Sequence, residues 1–225
     1  MEMIPPVKVK ICCIASREEA RLAISYGAAA IGMVDETPSG EGQVPLPEIA
    51  EIVRETRPGI GTFLLTSARD VDRLEELHRV TGVNTLQLFD GLASEDYGRL
   101  RRRAPRLSLV QSIHVRDESA VECAQAVSRH VDAICLDSAD PEPPFRWKNT
   151  GGQTHDWEIS RRIVQAVQTP VMLAGGLTPE NVCRAIRMVR PFGVDVCSGV
   201  RSGGRLDQSL LVAFLESVSR MTCNA

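Results

Sequence analysis

Apolar positions along this chain recur with two alternating periods, one typical of strands and one typical of helices. Short runs rich in Val, Ile and Leu predict eight strands, at 7–14, 28–34, 60–66, 83–89, 107–115, 131–137, 169–175 and 193–199. Between them, apolar residues spaced three and four positions apart predict helices, among them 17–27, 47–57, 70–82, 179–189 and a last one at 206–219. Strand and helix therefore alternate from one end of the chain to the other.

Residues that favour helix starts precede several of these helices. Ser16 stands before Arg-Glu-Glu-Ala, Ser67 stands ahead of Ala-Arg-Asp-Val, and Thr178 precedes a proline at a first helical position. Segments rich in Pro and Gly at 37–47 and 139–153 follow strands, so we interpret them as loops and not as linkers between domains.

Eight strand–helix units with a period of roughly 25–30 residues are typical of a (β/α)8 (TIM) barrel, whose active site lies at the carboxyl ends of the strands. We predict that residues 1–225 form one such domain. An open, doubly wound α/β sheet is the alternative architecture.

The amino-acid composition and net charge of the chain limit which kinds of molecule it can bind. The chain has 225 residues, is 43% hydrophobic and carries a net charge of −3, so it can bury one large core and shows no basic footprint for nucleic acid or an anionic membrane. No run of 18 apolar residues occurs, and the N-terminus lacks the zones of a secretory signal. We therefore expect a cytoplasmic protein with a small-molecule partner. Its oligomeric state is not predicted.

Two adjacent thiols close the first strand. Because side chains alternate along a strand, Cys12 shares a face with Lys10, whereas Cys13 shares one with Val9 and Ile11. A neighbouring cation favours a thiolate, so Cys12 is the reactive candidate and Cys13 is predicted to pack. Two buried cysteines without chemistry are the alternative.

The same alternation predicts which polar side chains point into the barrel. Asp137 ends the sixth strand opposite in parity to Ile134 and Leu136, so we expect its carboxylate to face inward. On the eighth strand Asp195 also faces inward, and strands one and eight are neighbours in a closed ring, which predicts a pair between Lys10 and Asp195.

Two glycine-containing segments predict a phosphate site. One glycine pair, Gly175 and Gly176, lies between the seventh strand and the next helix, and Ser198 and Gly199 follow the eighth strand. Glycines let backbone N–H groups approach an anion, and barrels commonly hold phosphate at these two loops. We predict substrate contacts from these four residues and from three inward side chains, Gln87, Lys10 and Asp195.

The chain resembles the phosphoribosylanthranilate isomerases of tryptophan biosynthesis. Val-Lys-Ile-Cys at 9–12 is similar to that family's V-K-I-C-G, with Cys13 in place of the glycine, and Leu-Asp-Ser at 136–138 is similar to its L-D-S/T. Further similar segments are LQL at 86–88, TGGQTHDW at 150–157, LAGGLTPENV at 173–182 and VDVCSGVRSGGRLD at 194–207, the last matching V-D-V-S-S-G-V-E. The resemblance runs nearly end to end.

The resemblance implies an Amadori rearrangement, in which an N-linked aminoaldose phosphate becomes a 1-amino-1-deoxyketose phosphate. It implies that Cys12 is the general base at C2 of the sugar and that Asp137 is the general acid at the ring oxygen. Such chemistry is proton transfer on a bound sugar, so we expect no metal and no organic cofactor. The four histidines also lack the spacing of metal ligands.

Several positions depart from the family pattern. Residues 37–40 read Thr-Pro-Ser-Gly where the family carries an S-P-R segment whose arginine meets the anthranilate carboxylate. Phe89, Gln153 and His155 stand in the places of a histidine, a lysine and a phenylalanine. These departures leave two alternatives open: an isomerase or epimerase of another sugar phosphate, and a non-catalytic barrel that binds a phosphorylated metabolite or a partner protein.

Overall fold

The chain folds as a closed parallel barrel. The structure is a computed structural model that describes residues 5–35, 42–138 and 154–223. Each strand pairs with the next one along the chain, and the eighth pairs with the first. The strands are β1 (Lys8–Ile11), β2 (Ala30–Val34), β3 (Gly61–Thr66), β4 (Thr85–Leu88), β5 (Ser108–His114), β6 (Ala133–Asp137), β7 (Val171–Leu173) and β8 (Gly193–Val196). The predicted barrel is confirmed, and the open sheet is wrong.

Helices surround the barrel. Within the described ranges they are α1 (Arg17–Ser25), α2 (Leu46–Glu55), α3 (Val71–Thr81), α4 (Ser94–Arg103), α5 (Ser119–Ser128), α6 (Trp157–Ala166), α7 (Val182–Val189) and α8 (Gln208–Cys223). A short antiparallel hairpin, β9 (Arg201–Ser202) with β10 (Arg205–Leu206), follows β8 and was not predicted.

The main core lies between the barrel and the helices. Every residue of β2 is buried, as expected for a parallel strand that is covered on both faces. In α7 the buried residues recur at helical spacing, so one face of the helix packs on the barrel. They are Val182, Ala185, Ile186 and Val189.

Helix starts agree with the predictions at one position and differ at two. Ser16 caps α1, because its hydroxyl accepts a hydrogen bond from the Glu19 N–H at 3.3 Å. Ser67 does not cap α3; Asp70 takes that place and accepts from the Arg73 N–H at 3.0 Å. The prediction for Thr178 is also wrong, since a turn follows it and α7 begins only at Val182.

Strand register fixes which interior side chains lie opposite each other on neighbouring strands. Lys10 is the partner of Asp195 across the seam between β1 and β8, and Ser112 is the partner of Cys135 in the β5–β6 pair. Among the residues that the structure describes, no helix combines the length and apolar character needed to cross a membrane. The cytoplasmic location stays a prediction.

Candidate active site

The interior of the barrel holds a buried ion pair beside a thiol. Lys10 Nζ lies 2.6 Å from Asp195 Oδ2 and 3.3 Å from Cys12 Sγ, where it donates hydrogen bonds to both atoms. Lys10 is 1% exposed and Asp195 is 6% exposed, so the pair is shielded from water. The predicted pairing of these two residues is confirmed. Gly32 on β2 leaves room for them, since a Cβ there would lie 2.9 Å from the Lys10 side chain.

The charges inside the barrel favour the ammonium form of Lys10 and the thiolate form of Cys12. Burial alone would lower the pKa of Lys10, but the Asp195 carboxylate and the negative charges of the Cys12 and Cys135 sulfurs together outweigh it and hold that pKa above its usual range. The pKa of Cys12 is lowered, first by a hydrogen bond from the Cys13 thiol and then by the Lys10 charge, against the opposing effect of burial. These surroundings favour the thiolate form of Cys12 over the neutral thiol.

The Cys13 side chain does not lie on the face that alternation predicts. Its φ of 60° places it in the left-handed region, after the ladder of β1 has ended at Ile11. The alternation of side chains stops there, and Cys13 packs against Val34, Leu65 and Phe89 at the mouth of the barrel. The expected packing role is correct, but the prediction that Cys13 shares a face with Val9 and Ile11 is wrong.

Asp137 occupies the carboxyl end of β6, as predicted. The side chain is partly buried, and its Oδ1 accepts a hydrogen bond from the Ser138 N–H at 2.7 Å. Two residues earlier on the same face, Cys135 Sγ lies 3.9 Å from Asp195 Oδ2 inside the barrel. The charges of Asp195, Lys10 and Asp137 all reach Cys135, whose pKa is raised chiefly by burial. The β6 carboxylate and the β1 thiol thus face one interior.

His114, at the end of β5, is the register partner of Asp137. Its ring packs against that of Phe89, with centroids 4.6 Å apart. Burial lowers the pKa of His114 more than the Asp137 charge raises it, so the ring is neutral at pH 7.

The two glycine loops meet beside Asp137. Gly175 and Gly176 have φ values of 81° and 63°, which glycine adopts without strain. A Cβ at Gly175 would lie 2.1 Å from Ser138 Oγ, and one at Gly199 would lie 1.9 Å from the Leu177 carbonyl oxygen. Only glycine permits this contact between loops. The exposed Ser198 begins a short 3-10 turn at 198–200, next to the glycine loop that follows β7.

Gln87 lies deeper in the barrel than the glycine loops. It is 4% exposed, and its Nε2 donates a hydrogen bond to Ser112 Oγ at 3.1 Å. Its Oε1 is buried without a hydrogen-bond partner among the described residues. Its role in substrate binding stays a prediction.

Sequence reasoning missed one residue that builds the mouth. Arg201, on β9, forms an ion pair with Glu19 at 2.9 Å and donates to the backbone carbonyls of Cys12 and Cys13. Glu19 Oε2 also accepts from the Ala15 N–H, so the pair fixes the chain after β1. The sequence separation of 182 residues between the partners left no local signal.

The departures from the family motif have different structural consequences. Phe89, in place of a histidine, is buried at the mouth. His155 accepts or donates a hydrogen bond with Ser160 Oγ at 2.6 Å, and burial lowers its pKa to about 4, so it is a neutral packing group at pH 7. Residues 37–41 and the whole loop predicted at 139–153, which includes Gln153, lie outside the described residues.

A cavity of about 530 Å³ extends from the mouth at β4 and β5 outward between α4 and α5. Phe89, His114 and Arg116 line its inner end, and Leu92 and Ile113 contribute apolar walls. In residues 5–35, 42–138 and 154–223, no three or more His, Cys, Asp or Glu side chains are arranged to hold a metal ion.

Comparisons with known proteins find similarity over most of the chain. The family model described as N-(5'-phosphoribosyl)anthranilate (PRA) isomerase matches residues 9–217. The chain is 36% identical over 211 residues to N-(5'-phosphoribosyl)anthranilate isomerase 2 of Methanosarcina mazei, covering 93% of this chain and 92% of that protein.

Solved structures give the same result. Phosphoribosyl anthranilate isomerase from Thermococcus kodakaraensis is 31% identical with a TM-score of 0.78, covering 94% of this chain and 98% of that one. A second structure, 25% identical with a TM-score of 0.78, covers 95% of this chain and 99% of its own. It is a phosphoribosyl anthranilate isomerase in complex with reduced 1-(o-carboxyphenylamino)-1-deoxyribulose 5-phosphate.

Proposed function

Because the chain belongs to the N-(5'-phosphoribosyl)anthranilate isomerase family and is an isomerase, we propose that it converts N-(5'-phosphoribosyl)anthranilate to 1-(o-carboxyphenylamino)-1-deoxyribulose 5-phosphate. One observation carries the proposal beyond family membership. A thiol with a lowered pKa, Cys12, and a carboxyl group, Asp137, face the same barrel interior from β1 and β6.

The first proton transfer in this proposal belongs to Asp137. Its carboxyl group donates a proton to the furanose ring oxygen, and the C1–O bond breaks to give an iminium ion. For this role the carboxyl group has to hold a proton near neutral pH. Removal from water and the negative charge of substrate phosphate both favour the protonated form. The contact between Gly175 and Ser138 brings the glycine loop next to this carboxyl group.

The second proton transfer belongs to Cys12. The iminium ion makes the C2 hydrogen acidic, and the thiolate removes it to give an enolamine. The ketone of the product forms when C1 gains a proton and the C2 hydroxyl loses one. A base works best when its pKa lies near the operating pH. The Lys10 ammonium, 3.3 Å from the sulfur, supports a thiolate there.

The test measures turnover of purified protein with N-(5'-phosphoribosyl)anthranilate and growth without tryptophan of a cell that lacks the isomerase. We expect turnover and rescue by the unaltered chain. Absence of both would contradict the proposal. Turnover of a different sugar phosphate in a substrate panel would then support the alternative isomerase, and phosphate binding without turnover would support the non-catalytic barrel.

The substrate phosphate is assigned in this proposal to the backbone of the two glycine loops. Gly199→Ala is expected to abolish binding of inorganic phosphate, because the added methyl group would collide with the Leu177 carbonyl and push the loops apart. At phosphate concentrations about 100 times Kd, a folded protein that binds it gains about 2.7 kcal/mol of unfolding free energy. Thermal unfolding with and without phosphate measures this gain.

Gly98→Ala is the matched control for this variant. Gly98 lies in α4, away from the loops, where a Cβ would make only an ordinary contact 3.5 Å from the Arg102 side chain. We expect this variant to keep the phosphate-dependent rise in Tm. If Gly199→Ala keeps it as well, phosphate does not bind at these loops.

A further inference from the structure

The cavity between α4 and α5 takes no part in the two proposed proton transfers. Its inner end opens at the mouth of the barrel, where Phe89 follows β4 and His114 ends β5. The rings of these two residues pack there with centroids 4.6 Å apart. His114 is the register partner of Asp137, and neighbouring strands lie about 4.8 Å apart. A group bound at this end of the cavity would therefore lie next to the atoms on which the proposed acid works.

His114 presents unpaired polar atoms at this inner end. Both of its ring nitrogens are buried, and neither has a hydrogen-bond partner among the described residues. The backbone of Phe89 lies near the ring, but not in hydrogen-bonding geometry. Buried polar atoms without partners destabilise a folded protein, so such atoms in a native structure call for an explanation. A neutral imidazole carries an N–H donor and an acceptor, so this ring is equipped to bind a polar group of a ligand.

The inner end of the cavity also carries positive charge. Arg116 lines it two residues beyond His114, and its charge acts on the His114 ring. A guanidinium has several N–H donors, so it can pair with a carboxylate and keep other contacts. Asp90 lies in the same lining, but its carboxylate is paired with Arg69 at 2.9 Å. Asp137 holds a proton in the proposed reaction. The surroundings therefore favour an anionic group.

Apolar side chains form the walls beside these polar groups. Leu92 and Ile113 line the cavity next to the Phe89 ring, and Val127 lines it on α5. Aromatic rings pack favourably against one another in tilted or offset arrangements. Small-molecule sites commonly combine such apolar walls with a few polar groups that fix the orientation of the ligand. This lining suits an aromatic ring that carries a carboxylate.

The order of the strands around the mouth matches the order of the groups in the proposed substrate. In that substrate the ring oxygen lies between C4, which leads through C5 to the phosphate, and C1, which carries the aromatic amine. With Asp137 of β6 at the ring oxygen and the phosphate at the loops after β7 and β8, the aromatic amine lies on the other side of β6. The neighbour of β6 on that side is β5, where the cavity opens.

We propose that the inner end of this cavity binds the carboxyphenyl group of the substrate. The His114 N–H donates a hydrogen bond to its carboxylate, the Arg116 guanidinium pairs with the same carboxylate, and the Phe89 ring packs against the aromatic ring. This inference rests on the proposed function, because it assigns a subsite to that substrate. It gives the carboxylate a cationic partner in a chain that reads Thr-Pro-Ser-Gly at 37–40, without an arginine.

The test measures binding of reduced 1-(o-carboxyphenylamino)-1-deoxyribulose 5-phosphate, a product analogue, by isothermal titration calorimetry. The same compound without its carboxylate is measured beside it. His114→Phe removes both ring nitrogens but keeps an aromatic ring against Phe89, and Arg116→Met removes the charge. We expect each substitution to weaken binding of the carboxylated analogue about 10- to 100-fold, the usual loss for a hydrogen bond to a charged group. Binding of the compound without the carboxylate should be the same in all variants.

His130→Phe and Arg187→Met are the matched controls. His130 lies at the outer end of the same cavity, where its ring stacks on Tyr97, and Arg187 is exposed in the last turn of α7. Both controls should bind the carboxylated analogue as the unaltered chain does. Equal affinity of the unaltered chain, His114→Phe and Arg116→Met for this analogue would overturn the inference.

Thermal unfolding of His114→Phe distinguishes a binding role from a structural one. The variant removes buried polar atoms that bond no described residue, so its Tm should stay level or rise. A level or higher Tm together with weaker binding supports the subsite. A fall in Tm as large as that expected for a lost buried hydrogen bond would show that the ring nitrogens serve the fold, and would overturn the inference.

Turnover of N-(5'-phosphoribosyl)anthranilate separates this inference from the proposed function. A residue that only binds the substrate raises KM and leaves kcat nearly unchanged when it is removed. If the chain turns the substrate over and Arg116→Met keeps the unaltered KM, the inference fails and the proposed function stands. If the expected losses of binding occur in a chain without turnover, the subsite is supported and the proposed function fails.

Free 2-aminobenzoate tests whether the cavity serves the substrate or an independent aromatic acid. The analogue also has a sugar phosphate, so it should bind much more tightly than 2-aminobenzoate alone. Equal affinities for the two compounds would show that the cavity accepts an aromatic acid without the sugar phosphate, and would overturn the inference.

Discussion

Asp137→Asn and Cys12→Ser are each expected to lower kcat by about 10²–10⁴-fold, the usual contribution of a general acid or base. The amide of asparagine carries no proton acidic enough to pass to the ring oxygen, and the serine hydroxyl does not ionise near neutral pH. Steady-state rates with N-(5'-phosphoribosyl)anthranilate measure the loss. Both variants should still bind inorganic phosphate, because the glycine loops remain intact.

Matched controls distinguish a loss of catalysis from a loss of the folded structure. Asp132→Asn alters a carboxylate just before β6, at the opposite end of the barrel from Asp137. Cys123→Ser alters an exposed thiol on α5. Both controls should keep kcat near the unaltered value. A normal kcat in Cys12→Ser or in Asp137→Asn would show that the substituted residue takes no part in the reaction.

Lys10→Met is expected to reduce the free energy of unfolding by about 3–5 kcal/mol, because it leaves the Asp195 carboxylate buried without its partner. The double variant Lys10→Met/Asp195→Asn should recover a large part of this loss, since no buried charge then remains unpaired. Equilibrium unfolding in urea measures both values.

A surface ion pair provides the comparison. Arg17 and Glu55 lie 3.2 Å apart but are 44% and 31% exposed, so water screens them. Arg17→Met is expected to change the unfolding free energy by only about 0–1 kcal/mol. If Lys10→Met costs no more than Arg17→Met, the interior pair does not stabilise the barrel.

Sequence periodicity was sufficient to predict the barrel and the pairing of Lys10 with Asp195. Both follow from two regular rules, the alternation of side chains along a strand and the adjacency of first and last strands in a ring. The rules apply because β1 and β8 stay regular through these two residues. They also placed Asp137 on the inward face of β6.

Prediction failed where the backbone leaves those regular patterns. Cys13 turned toward the mouth because its left-handed φ ended the alternation, and no local rule signals that conformation for a cysteine. The contact between Gly199 and Leu177, like the ion pair between Arg201 and Glu19, joins segments whose proximity only the folded chain creates. Motif similarity pointed to the glycines, but not to their mutual contact.

The seam between β1 and β8 also sets when the site can form during synthesis. Lys10 and Asp195 are 185 residues apart, so the ribosome has made most of the chain before the lysine meets its partner. Until then the nascent β1 exposes an unpaired edge, and an exposed edge invites association with other chains. Lys10 on β1 and Cys12 just after it are therefore among the first residues translated and among the last to reach their final surroundings.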